Sequence, residues 1–135
     1  MLIAIGYWRS RWQPDLPHPK DLVDDRISGE ARKLLVSYLD KGKIVMHCLG
    51  FSTCRFNCGI PDHEMGNSCL TDGKFIWPEK LSHYISEHKV WLPEPFIFHV
   101  KGNQNYNPSD IDLEKVGFDK KYGFHDFKWW KENAV

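Results

Sequence analysis

Two pairs of potential metal ligands restrict the fold of this chain more than any other feature of its sequence. Cys54 and Cys58 have three residues between them, and after a gap of 24 residues His83 and His88 have four between them. Zinc prefers a tetrahedron of cysteine thiolates and histidine nitrogens, and both local spacings fall within the range of zinc fingers. The sequence therefore predicts that folding brings the two pairs together around one structural zinc ion.

The histidine spacing presents a geometric difficulty, because five residues of regular α-helix turn through about 500° and leave the two side chains about 140° apart. His83 and His88 can share a metal only if the helix tightens or ends before His88. In the alternative interpretation His88 is an ordinary core histidine and the cysteines are buried, unreactive thiols. The reserve ligands are His47, Cys48, His63 and Cys69.

A redox role for Cys54 and Cys58 is a weaker alternative. Thioredoxin-like motifs have two residues between their cysteines and use a helix N-terminus to stabilise the thiolate. Here three residues intervene, and the surrounding composition of Gly, Pro, Asn and Asp predicts an irregular loop.

The hydrophobic pattern indicates an α+β fold in a single compact domain, residues 1–135, with a small mixed or antiparallel sheet and two to three helices. Apolar positions at helical spacing predict a helix over residues 28–42, with Ser28 as its N-cap and Gly42 as a left-handed stop. Asp72 and Gly73 form a turn dipeptide that predicts a hairpin. The other predicted elements are strands at 2–8, 43–51 and 96–100 and helices at 78–88 and 109–117.

Two parts of the domain differ in composition. Residues 43–100 form a Cys/His-containing subregion, in which a cysteine knuckle, a hairpin and a helix follow one another in the ββα order of a zinc finger or treble clef. Residues 102–135 form a C-terminal extension that is polar at first and then aromatic. We expect the zinc-finger-like part to order the loop around the cysteines.

The balance of charges limits the partners of this chain. Lys and Arg total 18, as do Asp and Glu, so the formal net charge is zero and no global field directs the chain to nucleic acid or to an anionic membrane. The apolar run at residues 2–6 is too short for a signal peptide, and no run approaches the length of a transmembrane helix. The sequence predicts a cytoplasmic protein that recognises a partner by local features.

Aromatic and arginine side chains concentrated near both ends predict a protein-binding surface. Such mixtures are enriched at interface hot spots and in grooves for single-stranded nucleic acid, although aromatic residues can equally belong to the core. We therefore expect a binding module rather than an enzyme. The predicted partner-binding residues are Trp8, Arg9, Arg11, Trp12, Trp129 and Trp130.

Two other classes of protein remain alternatives. One is a metal-dependent hydrolase in which the neighbouring residues Asp62, His63 and Glu64 assist a water activated by the metal. The other is a zinc-finger-like protein that binds nucleic acid, which the zero net charge disfavours. The sequence contains no phosphate-binding glycine loop and no nucleophile elbow.

Over residues 3–100 the chain resembles a family of small, mostly uncharacterised bacterial proteins. The segments that carry the resemblance are "IGYWRS", "LPHPKDLVD", "YLDKG", "GFSTCRFNCG" and "TDGKFIWPEKLSHYISEHKVWLP". They match the running pattern GYW, P-x-P with LVD, YL-x-x-G, CR-x-CG and TDG-x-[YF]-x-WPEGL-x-HY, followed by H-x-V-x-LP. Cys54, Cys58, His83 and His88 all fall on this pattern, whose spacing is similar to that of a zinc site.

This chain departs from the pattern at two points. It has one residue more between its cysteines, which a zinc knuckle tolerates, and it has Lys80 where the pattern has Gly, which we expect to make the following helix firmer. The resemblance implies no enzymatic activity. Members of the family look like the small proteins found beside bacterial polymorphic toxins. The resemblance therefore implies a bacterial immunity protein or inhibitor, whose partner would be a cognate polymorphic toxin.

Overall fold

The computed structural model describes residues 2–47, 52–115 and 127–134. Within these residues the chain forms five α-helices and one four-stranded mixed sheet, which confirms the α+β class, with more helices than the two or three predicted. The strands are β1 (Ile3–Ala4), β2 (Lys43–His47), β3 (Ser68–Thr71) and β4 (Phe75–Pro78). The helices are α1 (Gly29–Asp40), α2 (Asp62–Met65), α3 (Leu81–Glu87), α4 (Glu94–Gly102) and α5 (Lys128–Asn133).

The sheet has the order β1-β4-β3-β2. β3 and β4 form the predicted hairpin around Asp72 and Gly73, β2 pairs antiparallel with β3, and β1 pairs parallel with β4. β1 is shorter than the predicted strand 2–8. β2 covers residues 43–47 of the predicted strand 43–51, and residues 48–51 lie outside the described residues.

Side chains on the two faces of the sheet enter two separate apolar clusters. Because successive residues of a strand point to opposite faces, Phe75 and Trp77 enter the main core, while Ile76 between them enters the smaller cluster. The main core lies between the sheet and helices α1, α3 and α4. α5 closes it at one end, where buried Trp130 donates from its indole N–H to the Tyr7 carbonyl at 2.8 Å.

Helix α1 begins as predicted but ends differently. The Ser28 hydroxyl accepts a hydrogen bond from the Ala31 N–H at 3.1 Å, which confirms the N-cap. The helix ends at Asp40 with Lys41 as its C-cap, and Gly42 does not have a positive φ, so Gly42 is not a left-handed stop. Gly42 is instead needed for close packing, since a Cβ at this position would lie 2.9 Å from Leu70 Cβ and 2.9 Å from Trp77 Cζ2.

The predicted strand 96–100 is wrong, because these residues lie inside helix α4. The two prolines that suggested an extended segment occupy positions that a helix tolerates. Pro93 is the N-cap, and Pro95 lies in the first turn, where an N–H has no intrahelical partner to lose. α4 buries Phe96, Ile97 and Val100 against the main core.

Two further helix predictions need correction. The helix predicted over 78–88 begins only at Leu81, because Pro78 is still paired in β4 and Lys80 is the N-cap in a left-handed conformation with φ 65°. The helix predicted over 109–117 is not formed in its described part. Residues 108–110 make one turn of 3-10 helix, and a turn follows up to Lys115.

In the part of the chain that the structure describes, no helix combines the length and apolar character needed to cross a bilayer.

Candidate metal centre

The cysteine loop is shaped by residues with positive φ. Asn57 adopts φ 52° and Gly59 φ 92°, and the Asn57 N–H donates to the Cys54 carbonyl at 3.1 Å to close a tight turn. Asparagine tolerates this left-handed conformation better than most residues. Asn57 can therefore be the third residue between the cysteines without opening the turn. The turn places the Sγ atoms of Cys54 and Cys58 3.7 Å apart, too far for a disulfide bond.

The end of helix α3 brings the two histidines together. The helix ends at Glu87, His88 is the C-cap with φ −123°, and Lys89 follows with φ 56°. The N–H groups of His88 and Val90 both donate to the Tyr84 carbonyl. As a result the Nε2 atoms of His83 and His88 lie 3.2 Å apart.

The four predicted ligands form one cluster. Their ligand atoms all lie within 4.8 Å of one another, close enough to hold a metal ion. Each sulfur lies 3.4 Å from one histidine Nε2, Cys54 from His88 and Cys58 from His83. Zinc bonds of about 2.3 Å to sulfur and 2.0 Å to nitrogen give tetrahedral edges of about 3.8 Å for S–S, 3.3 Å for N–N and 3.5 Å for S–N. The distances of 3.7, 3.2 and 3.4 Å are near these values.

Aromatic side chains hold the loop against the helix. The Phe56 ring stacks on the His88 imidazole, with centroids 4.3 Å apart and planes 8° apart. The Tyr84 hydroxyl accepts the Arg55 N–H at 3.0 Å and donates to the Thr53 carbonyl at 3.4 Å. Cys54 is buried and Cys58 is exposed, so one side of the cluster faces the core and the other faces solvent.

Burial decides the protonation of the cluster in the absence of a cation. Burial raises the pKa of the Cys54 thiol, although hydrogen bonds from the N–H groups of Phe56 and Cys58 to its sulfur oppose the rise. Burial and the neighbouring His88 lower the pKa of His83, and burial also lowers the pKa of His88. Both imidazoles therefore favour the neutral form that binds metals, while the buried Cys54 thiol needs a cation to stabilise its charge.

Two of the four reserve ligands, His63 and Cys69, lie in the described part of the chain and do not join this cluster. Cys69 is buried in β3 and accepts a hydrogen bond from the Tyr7 hydroxyl at 3.2 Å. His63 is exposed in α2 and is not among the grouped ligands. Cys48 and the side chain of His47 lie outside the described residues.

The residues proposed for a hydrolase lie in α2, where Asp62, His63 and Glu64 are all exposed. The Asp62 carboxylate accepts a hydrogen bond from the Thr53 hydroxyl at 3.2 Å. None of the three is grouped with the cysteines and histidines.

The predicted partner-binding residues divide into buried and exposed sets. Trp8 and Trp130 are 7% and 0% exposed and pack edge to face on each other in the core, so their assignment to a binding surface is wrong. Trp129 is half-buried and packs against Phe75. Trp12 is 79% exposed. Arg9 and Arg11 are also exposed.

A second polar cluster was not predicted. The Asp72 carboxylate, which is fully buried, accepts hydrogen bonds from the Tyr38 hydroxyl and from His99 Nε2, the latter at 2.8 Å. Asn103 donates to the Tyr38 oxygen at 2.9 Å. Sequence reasoning assigned Asp72 only to a turn, because its partners come from α1 and α4 and no local pattern connects them. The cluster ties the β3–β4 turn to both helices.

No protein-family model matches the chain, and comparisons with curated proteins and with solved structures find no match either.

Proposed function

We propose that Cys54, Cys58, His83 and His88 bind one zinc ion and that this ion is structural. The observation that carries the proposal is the convergence of two thiols and two imidazole Nε2 atoms within 4.8 Å of one another, with four of their six separations, 3.7, 3.2, 3.4 and 3.4 Å, near those of a zinc tetrahedron. Four protein ligands complete the coordination of zinc, whereas catalytic sites keep one position open for water. The ion would fasten the cysteine loop to the end of α3.

The metal content of the purified full chain tests this proposal. We expect one zinc per chain, lost in Cys58→Ser and retained in His63→Ala, which changes an exposed histidine outside the cluster. X-ray absorption should find two sulfur and two nitrogen neighbours. A coordination sphere with three protein ligands and a water would instead support the metal-dependent enzyme, and absence of zinc after reconstitution would contradict any zinc role.

We further propose that the zinc-stabilised domain is a binding module whose contact surface includes Arg11 and Trp12. The Arg11 guanidinium lies 5.0 Å from the centroid of the exposed Trp12 ring, and Trp and Arg are enriched at interface hot spots. Arg9 supports this segment through a hydrogen bond from Nε to the Leu16 carbonyl at 3.2 Å.

The metal cluster and this surface are connected through the segment at residues 13–21, which contains three prolines. His18 of that segment packs edge to face on Phe56, which in turn stacks on the ligand His88. A loop fastened by zinc would therefore also support the segment that presents Arg11 and Trp12. The partner we propose is a protein. From the resemblance to the family of small bacterial proteins, we propose that it is a bacterial toxin that this module neutralises.

A protection assay tests the neutralising role. If a polymorphic toxin is encoded beside the gene for this chain, cells that express that toxin should survive when the chain is co-expressed. The double variant Arg11→Glu/Trp12→Ala should lose protection, while His63→Ala should keep it. Equal protection by the double variant would contradict the surface, and no protection by the unaltered chain would contradict the role.

A further inference from the structure

Helix α4 presents an exposed stripe that the proposed zinc site and the Arg11–Trp12 surface do not use. Glu94, Phe98 and Lys101 are spaced by four and three residues and so share one face of the helix. Phe98 is 82% exposed, and Glu94 and Lys101 are exposed on either side of it. Neither charged side chain forms an ion pair with another described residue.

An apolar groove of about 270 Å³ runs beside this stripe, between α1 and α4. Apolar side chains form most of its lining, and Leu34 is itself 38% exposed. Glu94 and Lys101 border the same groove. Its apolar lining from the two helices comprises Ala31, Leu34, Leu35, Ile97 and Val100. An exposed phenyl ring thus lies next to a groove that can receive one.

The two charges are placed symmetrically about Phe98. Glu94 and Lys101 are seven residues apart, about 10.5 Å along the axis, and Phe98 lies close to the midpoint between them. If a second α4 packs antiparallel about a two-fold axis beside Phe98, each Glu94 faces the Lys101 of the other copy. Antiparallel packing also places the opposite ends of the two helix dipoles side by side.

We propose that a second copy of this chain covers the stripe, in a symmetric dimer where each Phe98 enters the groove of the other copy. A two-fold interface uses the same patch on both copies, so the patch must be complementary to itself. This patch meets that condition because it contains the exposed Phe98 ring, a groove that can receive such a ring, and the opposite charges of Glu94 and Lys101. This proposal does not depend on the zinc site.

Charge reversal tests the dimer directly. Analytical ultracentrifugation of the full chain should detect a dimer that weakens as salt is added. Glu94→Lys alone and Lys101→Glu alone each create two like-charge contacts and should weaken self-association about tenfold or more. The double variant Glu94→Lys/Lys101→Glu restores both pairs and should dimerise like the unaltered chain.

Mixing the two single variants gives a sharper test. One variant then has two lysines in the stripe and the other has two glutamates, so they should form a heterodimer even though neither self-associates. Phe98→Ala should abolish all of these dimers, whereas Ile44→Ala, which shortens an exposed apolar side chain on strand β2, should leave them unchanged. A monomer at all accessible concentrations would overturn the proposal, as would a mixture of single variants that stays monomeric.

Discussion

The Nε2 atoms of His83 and His88 lie 3.2 Å apart, although five residues of regular helix would point the two side chains in different directions. The difference arises because α3 ends at Glu87 and His88 leaves the helical path. The ββα order of the hairpin and α3 then places both imidazoles beside the cysteine loop. This local departure from helical geometry makes a four-ligand cluster possible.

Chelation of zinc should destabilise the folded chain. A ligand that binds only the native state adds about 4 kcal/mol to the free energy of unfolding when its free concentration is a thousand times its Kd. We therefore expect a strong chelator to lower the thermal midpoint and added zinc to restore it. In Cys58→Ser the chelator should have no effect, and an unchanged midpoint in the unaltered chain would contradict a structural ion.

The two cysteines of the cluster should differ in their reactivity. In metal-free protein, iodoacetamide should modify exposed Cys58 before buried Cys54, and zinc should protect both because it occupies their lone pairs. Peptide mapping by mass spectrometry measures the order. Cys69, which is 1% exposed, is the internal control and should stay unmodified until the chain unfolds. Modification of Cys58 at the same rate with and without zinc would show that it is not a ligand.

Replacing Lys80 with glycine should stabilise the protein. Lys80 has φ 65°, a conformation that costs a residue with a Cβ about 1–2 kcal/mol and costs glycine little, so the expectation of a firmer helix with lysine is wrong. We expect Lys80→Gly to raise the free energy of unfolding by roughly 1 kcal/mol in urea titrations. The matched control is Lys33→Gly, exposed within α1, which should lower it by about 1 kcal/mol.

The two tryptophans assigned to one surface by sequence should behave in opposite ways. Trp130 is fully buried and its indole N–H is hydrogen-bonded, so Trp130→Ala should cost about 3–5 kcal/mol of stability. Trp12→Ala should change stability by less than about 0.5 kcal/mol, because its ring is in solvent. Chemical denaturation measures both, and similar losses for the two variants would contradict the burial.

Asp72 should make the protein sensitive to acid. Burial disfavours its charge, but hydrogen bonds from His99, Tyr38 and the N–H groups of Phe75 and Lys74 outweigh burial and lower its pKa below the usual 3.8. A carboxyl with a lowered folded pKa stabilises the fold above its unfolded pKa, and this contribution is lost as pH falls through the folded pKa.

We therefore expect stability to decline below about pH 4. Asp72→Asn should lose roughly 2 kcal/mol at neutral pH and decline less steeply in acid, measured by thermal unfolding at several pH values. The control is Asp110→Asn, which alters an exposed carboxylate and should keep the acid slope. The same slope in Asp72→Asn as in the unaltered chain would contradict the role of this carboxyl.

Predictions from sequence succeeded where the chemistry is contained in a few neighbouring residues. The Ser28 cap and the Asp72-Gly73 turn depend on atoms within one turn of chain, and both were predicted correctly. The strand expected at 96–100 failed because Pro93 and Pro95 are compatible with an extended segment and with the first turn of a helix alike. The choice between these is made by burial of Phe96, which packs against Tyr38, Phe75 and Trp77, all distant from it in sequence.

The sequence by itself determined which residues could form a metal cluster, because ligand type and local spacing are properties of short segments. Only the tertiary structure decided that these pairs meet, that Trp8 and Trp130 are core and Trp12 is surface, and that Asp72 joins Tyr38 to His99. The physical reason is that burial and convergence come from contacts between residues far apart in the chain, which local propensity does not encode.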